Sequence, residues 1–305
     1  METRAYYTER LTRQRPGLFV VLLDQSGSMS EQVEGEQLTK ADYATAAVNE
    51  LIATMCDAAG VDDSNQVKKL AYISVFGYND SVMSVLNRPG GPPGEPLDIR
   101  YLSQHFVGTQ EVQRAIFDSG ANTYRTAIVT APYWIDQPKA EGRTQMAKAL
   151  QQAQFIIQRW LDTAMPLPPQ EPGQAARHEC FPPVVINITD AEHNGEGDPE
   201  AVAAAIRSQG TSQGNCLIFT CHITKDRRQP LVFPSSPAEL VQLHPTAVTM
   251  FNMSSIMPDL LREKAARITH GRQVPPGAHT FVYNANAQLL AEFLRWGTQG
   301  TVGGW

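Results

Sequence analysis

The chain has 305 residues, 42% of them hydrophobic and 18% charged, and 25 Lys and Arg against 31 Asp and Glu give a formal net charge of −6. An acidic chain lacks the basic face of a general nucleic-acid binder, so we expect no nucleic-acid partner. No run approaches 20 apolar residues, so we expect no membrane span. The polar start of the chain is unlike a secretory signal, and the four cysteines have no paired spacing. These features predict a reduced, cytoplasmic protein.

Apolar runs of strand length recur along the chain. Residues 18–23 read LFVVLL, a continuous run typical of a strand that is covered on both faces. The other predicted strands cover residues 71–76, 184–188, 217–223 and 281–283.

Predicted helices alternate with these strands. Apolar residues spaced by three and four predict amphipathic helices over 41–58 and 145–161. A third helix is predicted over 199–209, with Asp198 as its N-cap and Pro199 at its first position. The last two predicted helices cover residues 258–268 and 286–296. This alternation predicts an α/β fold, doubly wound, with a mostly parallel central sheet and helices on both faces. Such folds bind their ligands beyond the carboxyl ends of the strands.

Oxygen-bearing side chains follow three of the predicted elements at that edge. Asp24, Ser26 and Ser28 follow the first strand, Thr144 precedes the helix over 145–161, and Asp190 follows the strand over 184–188. Carboxylates and hydroxyls are hard donors that suit Mg²⁺ or Mn²⁺ rather than zinc. Each feature also has a plain structural explanation. Thr144 could be an N-cap, Asp190 could cap the following turn, and serine-rich loops after buried strands are common.

The strand ending in DQSGS, the GRTQM helix start and the strand ending in ITD resemble the von Willebrand factor A (VWA) family. The resemblance implies a Rossmann-like fold and a metal-ion-dependent adhesion site (MIDAS). Ser26, Ser28 and Thr144 would ligate Mg²⁺, with Mn²⁺ or Ca²⁺ as alternatives, while Asp24 and Asp190 would act directly or through water. The stretches PYWIDQP, EGRTQMAKAL and PPVVINITDAEHNGEGDP are similar to cytosolic bacterial VWA proteins of the tellurite-resistance type. That subgroup implies a kinase, a phosphatase or an AAA+ ATPase as the partner.

The resemblance covers roughly residues 16–300. Because Asp24, Thr144 and Asp190 must meet at one ion, we predict a single domain over 16–300 after an N-terminal extension of residues 1–15. Loops or insertions rich in proline and glycine are expected at 87–138 and 163–183.

Two features depart from the family pattern. Ala191 follows Asp190 where the family usually has glycine, and alanine would be strained if the loop needs a positive φ there. The separation of 120 positions between Asp24 and Thr144 is also long for the family. The surplus contains Tyr101, Phe106, Tyr124, Tyr133 and Trp134. These aromatics belong either to the core or to a partner surface.

Three functions remain open at this point. The first is a non-catalytic module whose bound metal docks an acidic residue of a partner protein. The second is a metal-dependent hydrolase of phosphoesters, for which His193 is the candidate base. The third is a scaffold with a vestigial metal site. The acidic loop over 190–198 lacks EF-hand spacing, so we expect a solvated loop rather than a second cation site.

Overall fold

The computed structural model describes residues 7, 11–33, 37–118, 123–167, 177–190, 193–224, 229–265, 268–269 and 271–300. The strands in these residues are β1 Gly17–Asp24, β2 Ala71–Tyr78, β3 Val82–Ser84, β4 Leu97–Asp98, β5 Gly108–Asp118, β6 Thr123–Tyr133, β7 Pro166–Leu167, β8 Arg177–His178, β9 Val184–Thr189, β10 Gly210–Thr211, β11 Gly214–Asn215, β12 Leu217–His222, β13 Leu231–Val232 and β14 Phe281–Tyr283. The α-helices are α1 Lys40–Ala59, α2 Ile99–Gln104, α3 Met146–Asp162, α4 Pro199–Ser208, α5 Thr246–Met253, α6 Asp259–Lys264 and α7 Ala287–Gly300.

One sheet organises the molecule, with the strand order β13-β14-β12-β9-β1-β2-β3. The five inner strands from β14 to β2 are parallel, whereas β13, β3 and the short β4 pair in the antiparallel direction. The predicted α/β class with a mostly parallel sheet is therefore confirmed. All five predicted strands lie in this sheet, which places their carboxyl ends along one edge.

Strand β1 occupies the centre and is buried along its whole length. Its alternate residues enter two separate apolar clusters, since successive side chains of a strand point to opposite faces. Phe19, Val21 and Leu23 pack with residues of α1 and α7, and the intervening leucines and valine pack with residues of α3, α4 and α5. This double coverage explains why the run is continuous rather than alternating.

The helix ends follow local capping chemistry. Helix α1 begins after a capping box in which Thr39 and Asp42 exchange hydrogen bonds. Asp198 caps α4 as predicted, accepting from two backbone N–H groups, and Pro199 stands at the first helical position. The predicted helix over 258–268 is observed only over Asp259–Lys264. Helix α5 was not predicted.

The insertion expected within 87–138 contains β4, α2 and the antiparallel hairpin of β5 and β6. Its aromatic residues do not share one role. Trp134 is buried and donates its indole N–H to the carbonyl of Leu102, whereas Phe106 is 44% exposed. Tyr101 is partly buried against the core, and the side chain of Tyr124 lies outside the described residues. The core interpretation thus holds for Trp134 and is wrong for Phe106.

All four cysteines are buried free thiols, as expected for a reduced protein. Burial raises the pKa of Cys56 and Cys180 to about 12, which keeps these thiols protonated at neutral pH. Among the described helices, none combines the length and apolar character needed to cross a bilayer.

Candidate metal centre

Asp24 ends β1 at the carboxyl edge of the sheet, and its side chain is fixed by two hydrogen bonds. β9 lies parallel to β1 with Leu23 opposite Ile188, so Thr189 comes level with Asp24. The Thr189 hydroxyl donates to Asp24 Oδ2 at 2.6 Å, and the Ser26 N–H donates to Oδ1 at 2.9 Å. With 1% of its surface exposed, Asp24 is a buried carboxylate held in a defined orientation.

The two serines of the loop lie together just beyond Asp24. Ser26 is buried and Ser28 is half-buried, and their Oγ atoms are 3.2 Å apart. A short 3₁₀ turn over Gly27–Ser30 follows. The prediction that alternate serine side chains point the same way therefore agrees with the structure.

The loop before α3 is bonded directly to this serine loop. Gly27 donates its N–H to the carbonyl of Gly142 at 3.0 Å. Gly142 has a φ of 78°, and a Cβ there would collide with the Asp80 carboxylate, which accepts from the Arg143 N–H. Only glycine allows this close approach without strain.

Thr144, which follows in this loop, is 1% exposed. The interpretation of Thr144 as an N-cap is wrong, because α3 begins at Met146 and Gln145 occupies the N-cap position. The Thr144 N–H donates to Asn194 Oδ1 at 2.8 Å, and the Thr144 hydroxyl makes no hydrogen bond with any described residue. That hydroxyl remains available to a ligand.

Asp190 follows β9 and is buried, with 6% of its surface exposed. Its Oδ2 accepts from Lys40 Nζ at 3.0 Å, and Lys40 Nζ also donates to Glu31 Oε2 at 2.8 Å. Asp190 Oδ1 is buried without a hydrogen-bond partner among the described residues. An unpaired buried carboxylate oxygen is costly, and a metal ion is one group that would satisfy it. Ala191 lies outside the described residues, so its expected strain stays a prediction.

Burial and like charge dominate the electrostatics of the centre. Burial, followed by the negative charge of Asp190, raises the pKa of Asp24 to about 7. Burial by itself would lower the pKa of Lys40, but its hydrogen bond to Glu31 and the charge of Asp190 raise it overall. Burial lowers the pKa of His222 to about 4, so this imidazole is neutral at pH 7. His222 Nε2 lies 3.0 Å from the carbonyl oxygen of Asp190, which its N–H can then hold in place.

The acidic loop after β9 packs on the start of α3. His193 places Nδ1 3.1 Å from the carbonyl of Thr144 and Nε2 3.1 Å from that of Gly197. The Glu196 N–H donates to Gln145 Oε1 at 3.3 Å. Both ring nitrogens of His193 therefore lie within hydrogen-bond distance of backbone carbonyls, and the ring packs between the Thr144 loop and Gly197. A neutral imidazole can donate to only one of these carbonyls. The described part of the loop is partly packed rather than wholly solvated.

The five predicted ligands thus reach one sheet edge from three elements. The serine hydroxyls are neighbours, Asp24 and Asp190 are electrostatically coupled, and the Gly27–Gly142 bond holds the Thr144 loop beside them. In the described part of the chain, no group of three or more His, Cys, Asp and Glu side chains is placed to hold a metal. A metal here would therefore need hydroxyl ligands, which with the carboxylates form a set that suits a hard cation. The ligand assignment itself stays a prediction.

Sequence reasoning missed the groups that hold these side chains, chiefly Lys40, Thr189 and Asn194. For Lys40 a signal was present. Lys40 precedes Ala44 by four residues, so it extends the apolar stripe of α1 by one turn, and a lysine on a buried stripe needs an anionic partner.

A groove of about 690 Å³ opens beside the centre. Gln25 and Gly142 line its side nearest the predicted ligands, and Met83, Val107 and Trp134 contribute apolar surface. Met83 and Val107 are exposed in the described structure. The groove thus combines apolar surface with proximity to the centre.

No protein-family model matches the chain, and no curated protein matches it either. Among solved structures, proximal thread matrix protein 1 from the mussel byssus is 11% identical, with 96% of this chain and 48% of that chain covered at a TM-score of 0.45. The pilus adhesin SpaC from Lactobacillus rhamnosus GG is 11% identical, with 94% and 30% covered at a TM-score of 0.47. The manganese-loaded TRAP protein of Plasmodium vivax is 15% identical, with 71% and 60% covered at a TM-score of 0.32. This chain spans about half the length of the mussel protein. With every TM-score below 0.5, these likenesses assign neither a family nor an activity to the chain.

Proposed function

We propose that the protein is a non-catalytic interaction module that binds a divalent cation and uses it to dock an acidic residue of a partner protein. The cation proposed is Mg²⁺, with Mn²⁺ or Ca²⁺ as alternatives. The observation that carries the proposal is the pair of buried, coupled carboxylates of Asp24 and Asp190 at the same edge as the hydroxyls of Ser26, Ser28 and Thr144.

The mixture of ligands supports docking of an anion. Three of the five proposed ligands are neutral hydroxyls, so the protein neutralises only part of the charge of a divalent ion. When bound, such an ion supplies an octahedral centre with an open position that a carboxylate from outside can fill. Asp24 is oriented for this role by Thr189 and by the backbone of Ser26.

A role without catalysis agrees with the surroundings of the centre. The hydrolase alternative relied on His193 as a base for the attacking water, and both ring nitrogens of His193 lie next to backbone carbonyls. The adjoining groove, with exposed Met83 and Val107, offers a surface on which a partner protein can pack. A single carboxylate contact gives modest affinity, so this surface would supply specificity.

For the partner we propose a kinase, a phosphatase or an AAA+ ATPase in the cytoplasm. These proposals rest on the resemblance of residues 132–138, 141–150 and 182–199 to bacterial VWA proteins of the tellurite-resistance type and on the predicted reduced state of the thiols. Sequencing the neighbouring genes would test them.

The metal site is tested by calorimetric titration of the purified chain with Mn²⁺ and Mg²⁺. Wild type should bind one ion, and Thr144→Val, which removes the hydroxyl but keeps the branched side chain, should weaken binding about tenfold or more. Ser74→Ala is the matched control, because Ser74 is also buried and its hydroxyl donates to the carbonyl of Gly94. Equal affinity in wild type and Thr144→Val would refute the ligand assignment of Thr144.

Docking of an acid is tested with acetate as the probe. Acetate added to the Mn²⁺-loaded protein should displace coordinated water and lower the water-proton relaxation rate. Acetamide, which is neutral and of similar size, should leave the rate unchanged. An identical response to the two probes would refute carboxylate docking.

A further inference from the structure

Lys40 is the most deeply buried cation near the proposed metal centre. It is 4% exposed, and it stands in the first turn of α1, where Thr39 and Asp42 fix the start of the helix. Its Nζ lies 3.0 Å from Asp190 Oδ2 and 2.8 Å from Glu31 Oε2. The Asp190 side chain is 3% exposed and that of Glu31 is 38% exposed, so the Asp190 contact is the buried one.

A lysine is not needed here for packing. The next positions on the buried stripe of α1 are Ala44, Val48 and Ile52, and an apolar residue at position 40 would continue that stripe. A buried ammonium costs several kcal/mol unless it is paired, so its position requires an anion. Among the described residues, Lys40 is the cation that the structure pairs with Asp190.

The pairing is one-sided. Lys40 contacts Oδ2 of Asp190 and leaves Oδ1 buried without a partner among the described residues. The second carboxylate of the pair, Asp24, receives its hydrogen bonds from Thr189 and Ser26 and none from a cation. One positive charge therefore stands against two buried carboxylates, with one carboxylate oxygen left open.

We propose that Lys40 is a resident counter-ion of the metal centre, which neutralises Asp190 in the metal-free protein and makes the bound cation a stronger acceptor for an external carboxylate. This inference rests on the proposed function. A fixed positive charge beside a divalent ion weakens the binding of that ion. The same charge adds to the attraction between the metal-bound site and an anion. Lys40 therefore lowers the affinity for the metal and raises the affinity for an external carboxylate.

Lys40 could instead act only as a strut that holds the start of α1. Two variants separate charge from structure. Lys40→Met keeps the length of the side chain without charge, and Lys40→Gln keeps a hydrogen-bond donor for Asp190 without charge. Lys148→Met is the matched control, because Lys148 is 45% exposed and its Nζ lies 3.4 Å from Glu196 Oε2.

The experiment titrates each variant with Mn²⁺ by calorimetry and records thermal unfolding with and without about 5 mM Mg²⁺, enough to saturate a site of millimolar affinity. It then titrates acetate into the Mn²⁺-loaded protein. We expect both Lys40→Met and Lys40→Gln to bind Mn²⁺ about tenfold more tightly than wild type. Both should lose stability without metal and recover most of it with metal, and both should bind acetate more weakly. Lys148→Met should match wild type in each measurement.

Each outcome decides the counter-ion role of Lys40, the proposed function, or both. Unchanged or weaker Mn²⁺ binding in both Lys40 variants, with equal loss of stability with and without metal, would overturn the counter-ion role and leave the proposed function standing. No binding by wild type but binding by the variants would overturn the proposed function and support the counter-ion role. No binding by any of them would overturn both. If Lys40→Met does not fold, Lys40→Gln carries the test.

Discussion

Two clusters of charged residues stand near the two ends of helix α1, and the aspartate carboxylates in them are satisfied to different degrees. Near its start, Asp24 and Asp190 are buried together, and the ammonium of Lys40 pairs with Asp190 but not with Asp24. Beyond its end, Asp62 is half-buried and accepts from two backbone N–H groups, and Arg100 and Arg13 both reach its carboxylate. The second cluster satisfies its carboxylate with protein groups, whereas the first leaves an oxygen open.

The pKa values of Asp24 and Asp62 shift in opposite directions because of this difference. Burial and like charge raise the pKa of Asp24 to about 7, whereas hydrogen bonds from the backbone of Gln66 and Ser64 and the nearby arginines lower the pKa of Asp62. By linkage, the stabilising contribution of Asp62 is present above pH 4 or so and is lost as the pH falls through its folded pKa. The contribution of Asp24 to the free energy of unfolding changes in the opposite direction. Because its folded pKa is raised, the protein loses stability as the pH rises from about 4 to about 7. The carboxylate of Asp62 is fully paired and stabilises the fold, whereas that of Asp190 keeps one buried oxygen without a hydrogen-bond partner among the described residues.

Replacing Asp24 should give the largest effect. Asp24→Asn should weaken Mg²⁺ binding about 100-fold or more, because a ligand is lost. The same change should stabilise the metal-free protein by about 1–3 kcal/mol at pH 8, because it removes a buried charge. Calorimetry and denaturant unfolding measure the two quantities. A less stable Asp24→Asn protein would contradict the contrast between the clusters.

Removing the hydroxyl that orients Asp24 should have a smaller effect. Thr189→Val keeps the branched strand residue but removes the donor to Asp24 Oδ2, so we expect about tenfold weaker Mg²⁺ binding and a loss of about 1–2 kcal/mol of stability. Thr220→Val is the matched control on the next strand, where the buried hydroxyl donates to the carbonyl of Met250. It should lose similar stability and keep wild-type metal affinity. Equal metal affinity in the two variants would show that Thr189 does not orient Asp24 for binding.

Removing a contact that holds the Thr144 loop should reduce Mg²⁺ affinity by a smaller factor still. His193→Ala removes the ring that braces the carbonyls of Thr144 and Gly197, and we expect about threefold weaker Mg²⁺ binding. Phosphoester hydrolysis should be absent in both wild type and variant. His105→Ala, at an exposed position beside Tyr101, is the control and should bind Mg²⁺ like wild type. A Mg²⁺-dependent turnover that disappears in His193→Ala would instead support the hydrolase.

Replacing Asp62 in the second cluster should have the smallest effect, and it should change the thermal stability alone. Asp62→Asn should leave Mg²⁺ binding unchanged and lower the Tm by about 2 °C at pH 7, since the arginines that pair with Asp62 are accessible to solvent and such surface ion pairs contribute little. The difference from wild type should be smaller at pH 3 than at pH 7, because the pKa of Asp62 lies below its ordinary value and protonation removes its charge only as the pH falls through that folded pKa. Thermal unfolding at the two pH values measures this. A difference that grows towards pH 3 would show that Asp62 does not stabilise the fold through its charge.

The fold was predictable from sequence where one local rule decides the outcome. Continuous apolar runs marked the buried strands, and Asp198 followed by Pro199 marked the start of α4. Helix α5 was missed because it is short and contains β-branched residues that favour other conformations. The hairpin of β5 and β6 was missed because its strands carry no clear alternation of apolar and polar residues.

Part of the candidate site could also be predicted from sequence and part could not. Its positions at the ends of strands followed from the parallel sheet, so Asp24 and Asp190 could be placed at one edge. The partners of these residues could not be placed, because Lys40 reaches Asp190 across 150 positions and Thr189 reaches Asp24 across 165. Such contacts depend on register and helix packing, which no local pattern encodes. The resemblance to the VWA family supplied the ligand set, and it could not supply the lysine, which is not part of the motif.

The position of β1 between β2 and β9 has a consequence for how the protein is made. The strand that carries Asp24 is synthesised early, but its neighbour β9 leaves the ribosome about 160 residues later, as the register of Leu23 with Ile188 requires. Pairing over such a separation is slow, and in the meantime β1 exposes its apolar side chains and its unpaired backbone N–H and C=O groups. Asp24 and Asp190 come together only after β9 has docked, so the proposed cation site would form only after this late pairing. A nascent or truncated copy that stops before β9 would carry Asp24, Ser26 and Thr144 without Asp190, so under the proposed function it should bind the cation poorly.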